Sequence, residues 1–148
     1  MKTVLPAWVV TAVLVAGCGG GAAGGPPEIL YGQDICDRCR MVISEERHAA
    51  ALRHDGRAYR FDDTGCLRGF LESAPDSAEG AAWVHDESSA WLGVEEAWFV
   101  KDPEGRTPMG SGIHAFASAE AAAKGGGRHD RAPRRWSEVD GPDNGGGR

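Results

Sequence analysis

Leu14-Val15-Ala16-Gly17-Cys18 limits what this chain can fold into more than any other stretch. Lys2 supplies a short positive start, and residues 4–15 are mainly apolar but too few to cross a bilayer comfortably, which is the pattern of an export signal. Small residues directly before a cysteine match a lipoprotein cleavage site. Residues 1–17 are therefore expected to be a signal peptide, with Cys18 becoming the lipidated first residue of the mature chain. An ordinary signal peptide followed by a chance cysteine is the alternative. A lipid on Cys18 anchors the folded part to a membrane surface without spanning it.

What remains is roughly 130 residues, enough for one compact domain or two very small ones sharing a core. Residues 18–28 are rich in Gly, Ala and Pro and read as a flexible linker. Residues 29–140 read as the folded part, and residues 141–148 as a disordered tail. The formal net charge of −6 leaves no basic surface for nucleic acid.

With Cys18 set aside, Cys36, Cys39 and Cys66 remain, an odd number outside the cytosol. That points to a reactive or metal-bound thiol, or to one disulfide and one leftover cysteine. Cys36-Asp37-Arg38-Cys39-Arg40-Met41 places two thiols and a thioether within six residues. Thioethers bind Cu(I) well and Zn(II) poorly, so this set of soft donors points to Cu(I) before zinc. If the chain runs extended after Cys39, that residue and Met41 share a face and aim at one point, with Cys36 set back in the preceding turn. A Cys36–Cys39 disulfide is feasible, but redox-active Cys-x-x-Cys pairs normally open a helix. Here Arg40-Met41-Val42-Ile43 reads as a strand.

Residues 40–44 and 48–53 are strand candidates. Asp55-Gly56 is a hairpin turn signal, and residues 58–61 return as the next strand. Asp63 or Thr64 caps a helix over residues 65–73, ended by Pro75, and residues 81–85 form another strand. A similar series follows. Residues 97–100 and 112–116 read as strands around a turn at 102–105, and Ser118 caps a helix over 119–124. Residues 134–139 read as a last strand. The two halves form a weak internal repeat by element order alone.

Cys36-x-x-Cys39-x-Met41-x-Ile43, Phe61-Asp62-Asp63-x-Gly65-Cys66-Leu67, Val84-His85-Asp86, Thr107-Pro108-Met109-Gly110-Ser111-Gly112 and Ala115-Phe116 follow the lipoprotein signal in that order. This succession resembles the NosL family, copper-binding lipoproteins that serve assembly of nitrous oxide reductase. The resemblance implies an α+β fold of two related small ββαβ units, about 29–86 and 87–140, forming one compact domain likened also to organomercurial lyase. It implies a membrane-anchored chaperone, and no enzyme, carrying one Cu(I) ion per monomer as a monomer or weak dimer. Copper is delivered to the copper centres of nitrous oxide reductase in cooperation with a membrane transporter assembly complex. The expected location is the periplasmic face of a membrane in a Gram-negative cell, or the outer face of the plasma membrane in a Gram-positive one. Cys39 matches the family's copper thiolate, with Met41 and Met109 as thioether ligands and Cys36 as a further candidate. Met109 also stands out by itself, because its turn-rich segment needs no apolar side chain for packing. Two departures are Arg40, where the family usually has glycine, and His114, where it tends to have an apolar residue. A glycine with positive φ at that position would leave Arg40 strained.

Other residues read more plainly. Cys66 stands at a helix start, where the dipole would lower a thiol pKa, but a buried core cysteine is the simpler reading. His85 reads as structural, and His48, His54 and His129 as solvent-facing. Asp62 and Asp63 suit capping and turn formation better than acid/base work. No nucleophile-base-orienter set or phosphate loop is present in the sequence. Two further readings stay open. One is a thiol-disulfide oxidoreductase using Cys36 and Cys39. The other is a structural zinc domain closed by Cys36, Cys39, Cys66 and a histidine.

Overall fold

A computed structural model describes residues 24–102, 104–125 and 132–141. The signal peptide, Cys18, His129 and the tail beyond Gly141 lie outside the described residues. Strand β1 (Ala50–His54) turns into β2 (Arg57–Phe61) through Asp55 and Gly56, both at positive φ (47° and 72°). This two-residue turn twists in the same sense as the strands it joins. Asp63 then caps α1 (Thr64–Ser73), its carboxylate accepting from the Gly65 N–H at 2.6 Å. After the helix come β3 (Ala81–His85) and β4 (Trp91–Gly93), giving an antiparallel sheet of order β2-β1-β3-β4.

The second sheet pairs β5 (Trp98–Lys101) with β6 (Ile113–Phe116), and α2 (Ala119–Gly125) packs against it. The Ala121 N–H donates to the Ser118 hydroxyl at 3.1 Å, as expected of a helix-capping serine. Arg134 adds a single bridge to Phe99. The two units are therefore ββαβ-like, the second having one bridging residue in place of a full last strand. A parallel bridge from Asp86 to Ala115 joins the end of β3 to β6, and Leu52, Phe61, Leu67, Val84, Phe99 and Ile113 share one core. The fold is α+β.

Three segments depart from the sequence reading. Residues 40–44 form no strand. Ile35 and Val42 make a lone antiparallel bridge, the Cys36 N–H donates to the Met41 carbonyl at 2.8 Å, and the Arg40 N–H donates to the Cys36 carbonyl at 3.1 Å. These bonds close a tight turn, so the chain after Cys39 is not extended. Arg40 sits at φ 67°, a left-handed conformation that costs a residue with a side chain about 1–2 kcal/mol. Arg40→Gly is expected to raise stability by about 1 kcal/mol, read as a higher urea midpoint with an unchanged slope.

Residues 134–139 are also not a strand. After Arg134 the chain enters a 3-10 turn (Trp136–Glu138) that lays Trp136 on Phe99, ring centres 5.2 Å apart. Strand β4 gave no hairpin signal because its turn lacks glycine. Asp86 instead accepts from the Ser88 N–H, the Ser88 hydroxyl and the Ala90 N–H, while Ser89 takes φ 61°. β4 completes the first sheet although it falls in the second half of the sequence.

His48 is buried at 4% exposure, its ring edge-on to His114, and is not solvent-facing; His54 is half-buried. His85 is buried beneath Trp91, ring centres 3.7 Å apart, with the Tyr31 hydroxyl 3.0 Å from its Nε2. Burial holds the pKa of both His48 and His85 below the ordinary imidazole value. The unfolded chain then binds more protons than the folded one. Stability is therefore expected to fall as pH drops below about 6.5, seen as a lower thermal midpoint at pH 5.5 than at pH 7.5. His48→Gln should flatten that dependence.

Candidate metal centre

The turn that replaces the expected strand decides where the sulfurs go. Ile35 and Val42 face outward, which turns Cys36 into the core with no exposure. Cys39 lies half-buried, and its thiol donates to Asp62 Oδ1 at 3.4 Å. Cys66 enters from the first turn of α1, also buried. The three sulfurs and an Asp62 carboxylate oxygen all lie within 4.8 Å of one another. Among the described residues, no other group of three or more Cys, His and carboxylate side chains comes close enough to share an ion.

The thiols are not equivalent. The Cys66 thiol gives its hydrogen bond to Cys36, and this outweighs burial, drawing the Cys36 pKa down to about 6. Donation to Cys36, with burial added, pushes the Cys66 pKa up; its place at a helix start does not lower it. Burial is the main cause of the rise of Cys39 to about 11.

The Met109 segment hangs on Asp63, which has no exposure. Besides the helix cap at Gly65, its Oδ1 accepts from the Ser111 hydroxyl, and its Oδ2 accepts from the Met109 N–H at 3.0 Å. A Cβ on Gly65 would overlap Ser111, so glycine is what allows the 107–112 loop to reach the helix start. Asp62 thus fastens Cys39, and Asp63 fastens Met109, to the same β2–α1 junction. The Met41 N–H faces the Cys39 sulfur, and the side chains of Met41 and Met109 remain 54% and 42% exposed.

The sequence reading singled out Cys36, Cys39, Met41 and Met109 for copper, placed Cys66 beside Cys36 and Cys39 only in the zinc alternative, and gave Asp62 no place among them. The one available signal was their position in Phe61-Asp62-Asp63-Thr64-Gly65-Cys66, a strand end leading into a capped helix. Of the histidines offered as a fourth zinc ligand, none joins the cluster among the described residues; Asp62 stands there instead.

A small two-sheet α+β domain with soft sulfur donors gathered at a strand-to-helix junction has the donor set of a metal-binding protein. The NosL family model matches residues 27–140, and the chain belongs to the NosL family. Among solved structures, the copper chaperone NosL from Shewanella denitrificans aligns with it at a TM-score of 0.69. The alignment covers 79% of this chain and 97% of that one at 21% identity, a likeness of fold. No curated protein matches the chain by sequence.

Proposed function

We propose that this chain is a lipid-anchored Cu(I) chaperone of the cell envelope. It holds one ion through Cys39, Met41 and Met109 and passes it to nitrous oxide reductase through the membrane complex that assembles that enzyme's copper centres. The observation that carries this reading is the exposure of both methionines on segments tied to the same β2–α1 junction as the half-buried Cys39 thiol. Large apolar side chains left about half exposed near a metal-competent cysteine have a use other than the core.

The donor set suits a cargo that must leave again. As the Cys39 sulfur takes the ion its proton departs, and Asp62, already hydrogen-bonded to that thiol, is the nearest acceptor. One thiolate and one Cu(I) make a neutral pair, so the half-buried seat avoids the cost of burying net charge. The two thioethers are the weaker ligands and give way first when a partner's donors arrive.

A second reading rests on the cluster itself. With metal–sulfur bonds of about 2.3 Å, a trigonal site needs its sulfurs about 4 Å apart, so Cys36, Cys39 and Cys66 are close to a thiolate-only arrangement. The same set with Asp62 also suits zinc. Three thiolates around Cu(I) would leave two net negative charges among core residues, which favours the thioether set. The Cys36–Cys39 pair lies in a turn and does not open a helix, which weighs against disulfide exchange.

The test is an anaerobic Cu(I) competition titration on the form lacking residues 1–18. Met41→Leu and Met109→Leu are each expected to weaken binding by about tenfold or more, since even residues that only support a ligand cost about that much. An oxidoreductase would keep its activity in Met41→Leu. Unchanged affinity in both variants would sink the assignment.

A further inference from the structure

Every large apolar side chain that is exposed among the described residues belongs to the two segments carrying the methionines. They are Leu30, Ile35, Met41, Val42 and Met109, each between 40% and 54% exposed. Four lie in one short stretch, residues 30–42. Exposed apolar side chains gathered in this way mark a surface that meets another molecule.

Charge identifies the partner. Arg38 and Arg40 flank Cys39, are exposed, and have no ion-pair partner among the described residues. The carboxylates next to them are already engaged. Asp34 meets Arg60 and the Leu30 N–H, and Asp37 accepts from the Arg60 N–H at 2.7 Å. With Asp34 paired to Arg60 and Asp37 held by a backbone N–H, Arg38 and Arg40 at the rim of the copper mouth are left without a paired carboxylate. Arg40 holds its place at φ 67° against a cost in stability, and such strain is retained where the side chain is used.

From these observations we infer that the 30–42 hairpin, with Arg38 and Arg40, is the docking face for a protein acceptor that presents an apolar centre edged by carboxylates. This rests on the reading that copper is handed from Cys39, Met41 and Met109 to a protein partner. An anionic lipid surface fits less well, because its headgroups offer no soft donor to which Cu(I) could pass from the thioethers. Docking in this way brings the acceptor's donors to the exposed thioethers, and the two arginines speed encounter and fix register.

The test measures the rate at which the copper-loaded mature lipoprotein passes Cu(I) to copper-free nitrous oxide reductase together with its assembly complex. Extraction by a small chelator, which needs no docking, runs alongside. Val42→Asp and Arg40→Gly are expected to slow transfer to the protein about tenfold while leaving the chelator rate and the Cu(I) affinity unchanged, and Arg40→Lys should restore transfer. Arg40→Gly is the sharper variant, because it should stabilise the fold and yet slow the handover. Raising salt from about 50 to about 500 mM should slow the wild type more than Arg40→Gly. Wild-type transfer rates in both variants would overturn the docking face. So would loss of binding to phosphatidylglycerol vesicles in the same variants with protein transfer intact, which would make the face a membrane contact. If wild-type protein yields copper to the chelator but not to the acceptor, the handover reading itself fails.

Discussion

Asp63→Ala is expected to lower the stability of the domain by about 3 kcal/mol or more. The substitution leaves the Gly65 N–H, the Met109 N–H and the Ser111 hydroxyl without their buried acceptor, at about 1–3 kcal/mol each. For a domain of this size that corresponds to a fall in thermal midpoint of about 12 °C or more. Asp63→Asn separates the two duties of the carboxylate. Its side-chain oxygen can still accept from Gly65 and Ser111, but its amide then faces the Met109 N–H, donor against donor. The helix cap and the Ser111 bond survive, and the Met109 backbone is released. The Asp63→Asn protein should therefore keep most of the stability while losing Cu(I) affinity about as far as Met109→Leu does. A titration showing wild-type affinity in a folded Asp63→Asn protein would break the link between this carboxylate and the metal site.

Cys39→Ser is expected to have the largest effect on metal binding. Cys39 is the one thiol of the three that is not fully enclosed, and the proposed site has no other anionic donor. Residues that merely support a ligand cost about 10–100-fold in affinity, so loss of the only thiolate should exceed about 100-fold. Serine is nearly isosteric and can still hydrogen-bond Asp62, so the fold should persist and the loss should be one of chemistry. Thermal unfolding beside the Cu(I) titration reads both at once. A Cys39→Ser protein that held copper as tightly as the wild type would move the ion to Cys36 and Cys66.

Much of the fold was legible in the sequence where local chemistry acts alone. The Asp55-Gly56 turn, the helix capped at Asp63 and the strand at Ala81–His85 each follow from a few adjacent residues. The 40–44 segment misled because the apolar run Met41-Val42-Ile43, with two β-branched residues, suits a strand, whereas backbone bonds from Cys36 and Arg40 fold it into a turn. β4 was hidden because a carboxylate on Asp86 shapes a turn that sequence normally announces with glycine. At the candidate site, the sulfur donors could be named from spacing and family resemblance. Their neighbours could not. That Asp62 meets Cys39 across 23 positions depends on how the Cys36–Met41 turn packs on the β2–α1 junction, and that Asp63 meets Met109 across 46 depends on how the two units pack, which no local pattern encodes.

The most direct measurement uses the methionines themselves. Of the three in the chain, Met1 belongs to the expected signal peptide, so the mature protein should contain only Met41 and Met109. Protein made with selenomethionine, loaded with one equivalent of Cu(I) and examined by X-ray absorption at the copper edge, reports whether selenium surrounds the ion. The account predicts two selenium neighbours and one sulfur, falling to one selenium in Met109→Leu. A shell of sulfur without selenium would contradict it and place the ion among Cys36, Cys39 and Cys66.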